Sequence, residues 1–249
     1  MSAPPGTKGT PSRSGAGVEI EVLEDRAERS GPRGGFLQLQ RLLVRNRYPD
    51  GTTSEPYPCD VVSRRGVDAV TIALFEREAD GRVIVGLREN LRVPIWLRRR
   101  KTDLPFADDP PQGTLLETVA GILEPSDGAL GSLRAALRHR AALECAEEIG
   151  LPVSEEAILD LGGASFPTPG IGDEKVYFAA AEVRFAHAGS AHGDGSVMEE
   201  VGGLVLLELE EALARCRDGR IPDMKTEIAL ARLRDRLRET APCLSEPTG

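Results

Sequence analysis

Apolar and polar residues alternate over Val18–Leu23 and again over Phe36–Arg45, the two-residue period of a strand. Residues 26–35 between them are polar and glycine-rich and read as a loop, and Tyr48-Pro-Asp-Gly51 has turn chemistry. Val61–Arg65 is a further short extended stretch. Val67–Glu76 is strongly apolar, and Asp80-Gly81 signals a hairpin into Val83–Arg88. Arg92–Trp96, a basic stretch Arg98–Lys101 and a surface insertion over 103–113 follow. Leu115–Val119 predicts a strand, and Ala120-Gly121 opens a tight loop running through Gly128. From Leu133 the period changes: Leu133, Leu137 and Ala141 form one stripe of a helix that Gly150 and Pro152 terminate. Strands at Ala157–Leu161 and Lys175–Val183 frame a loop, Ser165–Glu174. A polar connection over 187–198 leads to a strand at Leu204–Leu209, a short helix at Glu210–Arg217 and an amphipathic helix at Asp223–Glu239. Strands outnumber helices, so the pattern predicts an α+β fold, a mixed sheet with helices against its faces. The first strands predict a small separate antiparallel sheet over 18–65, ahead of a main domain over 66–240. Residues 1–17, rich in Pro, Gly, Ser and Thr, predict a disordered tail, and 241–249 a second tail.

Composition changes this picture little. The 249 residues are 40% hydrophobic and 29% charged, which is ordinary for a globular protein able to bury a core. A formal net charge of -9 argues against nucleic acid or an anionic membrane as the main partner. Cys59, Cys145, Cys216 and Cys243 show no paired spacing, so neither a disulfide framework nor a zinc site is expected. Without a spanning apolar run or a signal-peptide core, the expectation is a cytoplasmic protein.

The end of the predicted central helix carries the chemistry. Glu144, Glu147 and Glu148 lie three and four positions apart, beside the carbonyl end of the helix, where negative charge is unfavourable. A cation is expected to offset them, and oxygen ligands without His or Cys favour a hard ion, Mg²⁺ with Mn²⁺ as a substitute.

Strand, glycine loop and a helix ending Glu-x-x-Glu-Glu-x-Gly-Leu together resemble the Nudix box, G-x5-E-x7-R-E-U-x-E-E-x-G-U with U apolar. Gly121 matches the first glycine, and Glu144, Cys145, Glu147, Glu148, Gly150 and Leu151 match the second half. Three positions depart from the pattern. The loop glutamate falls on Asp127, the arginine falls on Leu143, and about eight extra residues separate the halves. Further stretches resemble the ADP-ribose pyrophosphatase-like branch: Tyr48-Pro-Asp-Gly51, Leu116-Glu-Thr-Val-Ala-Gly121, Phe166–Glu174 and Ile221–Leu230.

The resemblance implies Mg²⁺-dependent hydrolysis of a nucleoside diphosphate sugar, most typically ADP-ribose to AMP and ribose 5-phosphate, by a homodimer. It implies Glu144 and Glu148 as principal metal ligands, Glu147 as ligand or neighbour, and the backbone carbonyl of Ala120 as another. Glu174 is the implied general base or extra ligand. Arg92, with Arg88 as substitute, is implied on substrate phosphates. Glu117 would hold metal or ribose, or form a structural ion pair, and Tyr48 belongs to the aromatic pool for stacking on a base. Two alternatives stay open: a Nudix-fold sensor that binds nucleotides without turnover, motivated by Leu143 and Asp127, and a GDP-mannose-type pyrophosphatase.

Overall fold

The computed structural model describes residues 19–25, 36–189 and 203–240. The two terminal tails, the loop over 26–35 and most of the connection over 187–198 lie outside the described residues. The chain divides into two compact units between Arg64 and Arg65.

In the first unit, β1 (Glu19–Asp25), β2 (Leu37–Arg47) and β3 (Tyr57–Arg64) form an antiparallel sheet in chain order. Glu21 accepts from Arg45 and Arg47 of the neighbouring strand, and these two guanidinium bonds hold its carboxyl at about 2. The turn after β2 closes by Gly51 N–H donating to Tyr48 O at 2.9 Å, with Gly51 at φ 81°. β3 begins at Tyr57, earlier than the expected Val61, because Pro58 and Asp60 interrupt the apolar alternation without interrupting the backbone pairing.

The second unit holds β4 (Ala69–Arg77), β5 (Val83–Asn90), α1 (Val93–Arg98), β6 (Leu115–Glu117), β7 (Val119–Ile122), α2 (Leu133–Ile149), β8 (Leu159–Asp160), β9 (Val176–Glu182), β10 (Leu204–Glu208), α3 (Leu209–Arg217) and α4 (Met224–Thr240). The sheet runs β10-β5-β4-β9-β8, with β4 and β9 parallel and the other pairs antiparallel. Alternate residues of β4 enter opposite layers. Ala73 and Phe75 pack with Leu213, Leu230 and Leu233 of α3 and α4, whereas Val70, Ile72 and Leu74 pack with Ala141, Cys145 and Ile149 of α2. Helices therefore cover both faces of the sheet, the expected α+β arrangement.

The sheet is forked. β4 and β5 pair from Arg77↔Val83 to Leu74↔Gly86 and then separate. β6 lines the inner edge of β5, Arg88 opposite Glu117, and β7 lines that of β4, from Ile72↔Val119 to Ala69↔Ile122. Thr118 stands where the prongs part. The apolar run read as one strand over 115–119 is thus two, and Ala120-Gly121, expected to open a loop, lie within β7. α1 was not expected either: its Pro94 is in the first turn, where a missing N–H costs nothing. The strand expected at Ala157–Leu161 is a 3₁₀ turn followed by the two-residue β8.

Candidate active site at the fork

α2 starts at Ser132, whose hydroxyl accepts from Ala135 N at 3.2 Å, and ends at Gly150 in the left-handed region, φ 63°. Its buried stripe of Ala136, Ala141, Cys145 and Ile149 faces the sheet. Glu144 and Glu148, one turn apart, flank this stripe with side chains only 14% and 16% exposed, while Glu147 is exposed. Glu144 lies directly over Gly121: a Cβ at residue 121 would overlap its carboxylate. The glycine of β7 therefore lets an α2 carboxylate rest against strand backbone, next to Ala120.

Where the sequence led to the expectation of a metal ion, the described residues place two arginines beside these carboxylates. Arg88 of β5, 4% exposed, places Nη1 at 3.7 Å from Glu148 Oε2. Arg140 places Nη1 at 3.8 Å from Glu144 Oε1. Arg140 also grips Asp127 at two points, Nε to Oδ2 and Nη2 to Oδ1, both 3.1 Å. Asp127 is buried in the 3₁₀ turn Pro125–Leu130 and caps Glu124 N–H at 2.9 Å. Burial alone would raise the Asp127 carboxyl. The Arg140 bonds and the Glu124 amide outweigh it and hold the group below its ordinary value. Arg140 thus bonds the carboxylate at one departing position, Asp127, and lies beside Glu144, the neighbour of the other, Leu143. Sequence reasoning missed Arg140 because the pattern fixes an arginine beside Glu144; the readable signal was the i,i+4 spacing. Cys145 is pushed up to about 12, first by burial and then by Glu148 and Glu144, so its thiol stays protonated.

On the other prong Glu117 is 3% exposed and fully engaged. Its Oε2 accepts from Arg92 Nε at 2.6 Å and Asn90 Nδ2 at 3.2 Å, and its Oε1 accepts from Lys225 Nζ at 3.1 Å. Lys225 also donates to Asp223 Oδ1 at 2.7 Å. Glu117 stands here as an ion-pair partner. Burial disfavours the charge on Lys225, but Asp223 and Glu117 overcome it and raise its pKa. Arg92 behaves alike: burial opposes its charge, while Glu117 and the more distant fields of Glu148 and Asp223 favour it. A buried run of threonines joins this group to the sheet. Thr226 donates to Asp223 Oδ2 at 2.7 Å and accepts Thr118 N–H at 2.9 Å, and Thr118 and Thr71 hydroxyls meet at 2.6 Å. Lys225, Asp223 and Thr226 had been read only as part of a helix start.

Glu174 is half-buried, two residues ahead of β9, and Tyr48 lies in the first unit at the turn after β2. Among the described residues no three His, Cys, Asp or Glu side chains are gathered into a ready metal cage. What α2 and β7 offer is two half-buried carboxylates, that of Glu144 against strand backbone, an all-oxygen donor set that fits a hard divalent ion. No described helix is long and apolar enough to cross a membrane.

No family model matches the chain. A GDP-mannose pyrophosphatase from Enterobacter sp. (strain 638) is 29% identical over 164 residues, 66% of this chain and 71% of that protein. Among solved structures, a Nudix hydrolase from Alicyclobacillus acidocaldarius is 16% identical with a TM-score of 0.42, over 68% of this chain and 90% of that one. A Nudix hydrolase from M. smegmatis is 14% identical with a TM-score of 0.37, over 80% and 97%.

Proposed function

On the premise that the chain belongs to the Nudix superfamily, we propose that it hydrolyses the phosphoanhydride bond of a nucleoside diphosphate sugar, using Mg²⁺ or Mn²⁺. The observation that carries this reading is Glu144 lying over Gly121 with Glu148 one turn on, the first near half-buried Arg140 and the second near buried Arg88. In this reading Glu144, Glu148 and the carbonyl of Ala120 hold the ion, and Glu147 stays at the solvent side. The ion would supply positive charge to the diphosphate oxygens and make bound water more acidic. Arg92 binds a phosphate through its guanidinium fork. Glu174 accepts the proton of the attacking water, and Glu147 is the second choice for that step. Water oxygen bonds to one phosphorus as the bridging P–O bond breaks, giving a nucleoside monophosphate and a sugar phosphate.

ADP-ribose and GDP-mannose are the two substrates to be tried first, the second because the 29% identical relative is named for it. The sensor reading was motivated by Asp127 and Leu143; Arg140 bonding to Asp127 and facing Glu144 removes most of that motive. The decisive assay follows phosphate released by a coupled phosphatase, with Mg²⁺, across ADP-ribose, GDP-mannose, UDP-glucose and diadenosine substrates. Release from a nucleotide sugar is expected, with E148Q folded and inactive. Binding of every substrate without release would replace the hydrolase by the sensor.

A further inference from the structure

Glu117 is the most completely engaged buried carboxylate of the fork, and its three partners come from distant parts of the chain. Asn90 and Arg92 belong to the end of β5 and the start of α1, whereas Lys225 lies 108 residues beyond Glu117 at the start of α4. The two carboxylate oxygens divide the work: Oε1 faces Lys225, and Oε2 faces Arg92. Among the described residues the only side-chain hydrogen bond of Arg92 is the one from Nε to Glu117, and its side chain is 43% exposed. Both of its terminal nitrogens are therefore left to solvent or a ligand. A guanidinium tethered at Nε keeps a flat pair of N–H donors in a fixed plane, the geometry that suits a phosphate.

Lys225 itself is already committed: 24% exposed, it spans Glu117 and Asp223. Asp223 in turn is fixed by Thr226 N–H at 3.0 Å and Thr226 Oγ1 at 2.7 Å, so Lys225 is gripped from a helix start that the threonine run bolts to the fork. We propose that Lys225 is a positioning residue of this site: its ammonium fixes Glu117 by one oxygen, so that the other fixes Arg92 by Nε and leaves both terminal nitrogens for the diphosphate of the substrate. The inference rests on the diphosphate-binding part of the function proposed above and not on turnover. Without Lys225, Glu117 loses the cation on Oε1 and is held through Oε2 alone, by Asn90 and Arg92, so the carboxylate can turn about its last bond. The plane of Arg92 then turns with it. Loss of aim, rather than loss of a contact to substrate, is the predicted defect.

A double-mutant cycle on binding separates this role from general damage. The probe is inorganic pyrophosphate with Mg²⁺, titrated calorimetrically into wild type, K225M, R92A and the double variant, with Kd as the readout. K225M is expected to weaken binding on the order of ten-fold, as misorientation of a binding group does. In the R92A background K225M should add almost nothing, because there is no guanidinium left to aim. K225R is expected to recover most of the affinity; thermal unfolding checks that K225M is folded, and K225Q takes its place in the cycle if it is not. Equal losses in both backgrounds would make Lys225 merely structural and overturn the proposal. So would unchanged binding in K225M, or a wild-type protein that does not bind pyrophosphate. Wild-type protein that binds pyrophosphate with the expected cycle yet hydrolyses no nucleotide sugar would overturn the proposed hydrolase and leave this inference standing.

Discussion

Gly121 shows how much one missing methyl can decide. Its Cα is where the Glu144 carboxylate rests, so G121A must push that carboxylate away from the strand. Nucleotide-sugar hydrolysis by G121A is expected to fall by about 100-fold, the cost of displacing a catalytic group by an ångström, while far-ultraviolet circular dichroism stays that of wild type. Retained activity would remove Glu144 from the ligand set. Arg140 supports a second experiment. Because it already bonds Asp127 and faces Glu144, putting an arginine at the place the family pattern assigns should add nothing: L143R is expected to leave kcat/KM unchanged. A marked gain would mean that Arg140 does not substitute. R140M, in contrast, leaves Asp127 buried without its cation and should cost about 3–5 kcal/mol in a urea titration. The sign of the acid response follows from the same pair. Asp127 has its pKa lowered in the folded state, so its stabilising contribution is complete above its ordinary value of 3.8 and disappears as pH falls below that through the lowered one. D127N should flatten the acid limb of a stability-against-pH curve between those two values, and an unchanged limb would show that the pair contributes nothing.

At the scale of elements, the periodic segments were legible and the pairing was not. β2, α2 and α4 each carry a period long enough to announce themselves, β4 a long apolar run, and their observed limits differ from the pattern by a few residues at most. α1 carries none: six residues, Pro94 among them, are too few to show a stripe. The split of β6 from β7 left no trace in hydropathy either, since Leu115 to Ile122 reads apolar throughout apart from Glu117 and Thr118. Which strand each half joins is a property of partners, not of the run itself. Glu144 and Glu148 could be placed on one face from spacing alone, whereas Glu117 could be tied to Lys225 only by folding. β5 provides a test of packing. A Cβ at Gly86 would come within 2.5 Å of the Phe185 ring, so G86A should destabilise the second unit by about 1–3 kcal/mol through overpacking. A urea midpoint equal to that of wild type would show that Phe185 moves aside without cost.

Taken whole, the chain divides into two compact units between Arg64 and Arg65. The first exposes Val22, Phe36 and Leu37, which are 55%, 69% and 58% accessible, on a sheet of three strands. The homodimer implied by the sequence resemblance is open to a direct test. Light scattering is expected to give about twice the chain mass of 26.7 kDa, and a single-chain mass at micromolar concentration would dispose of it. In the second unit one small junction ties α4 to the fork: Thr118 N–H donates to Thr226, whose hydroxyl donates to Asp223. That amide is sealed beneath a helix from a remote part of the chain and cannot meet solvent while α4 stays docked. In heavy water it becomes a clock for the release of that helix: the hour at which Thr118 takes up deuterium is the hour at which the fork comes unbolted.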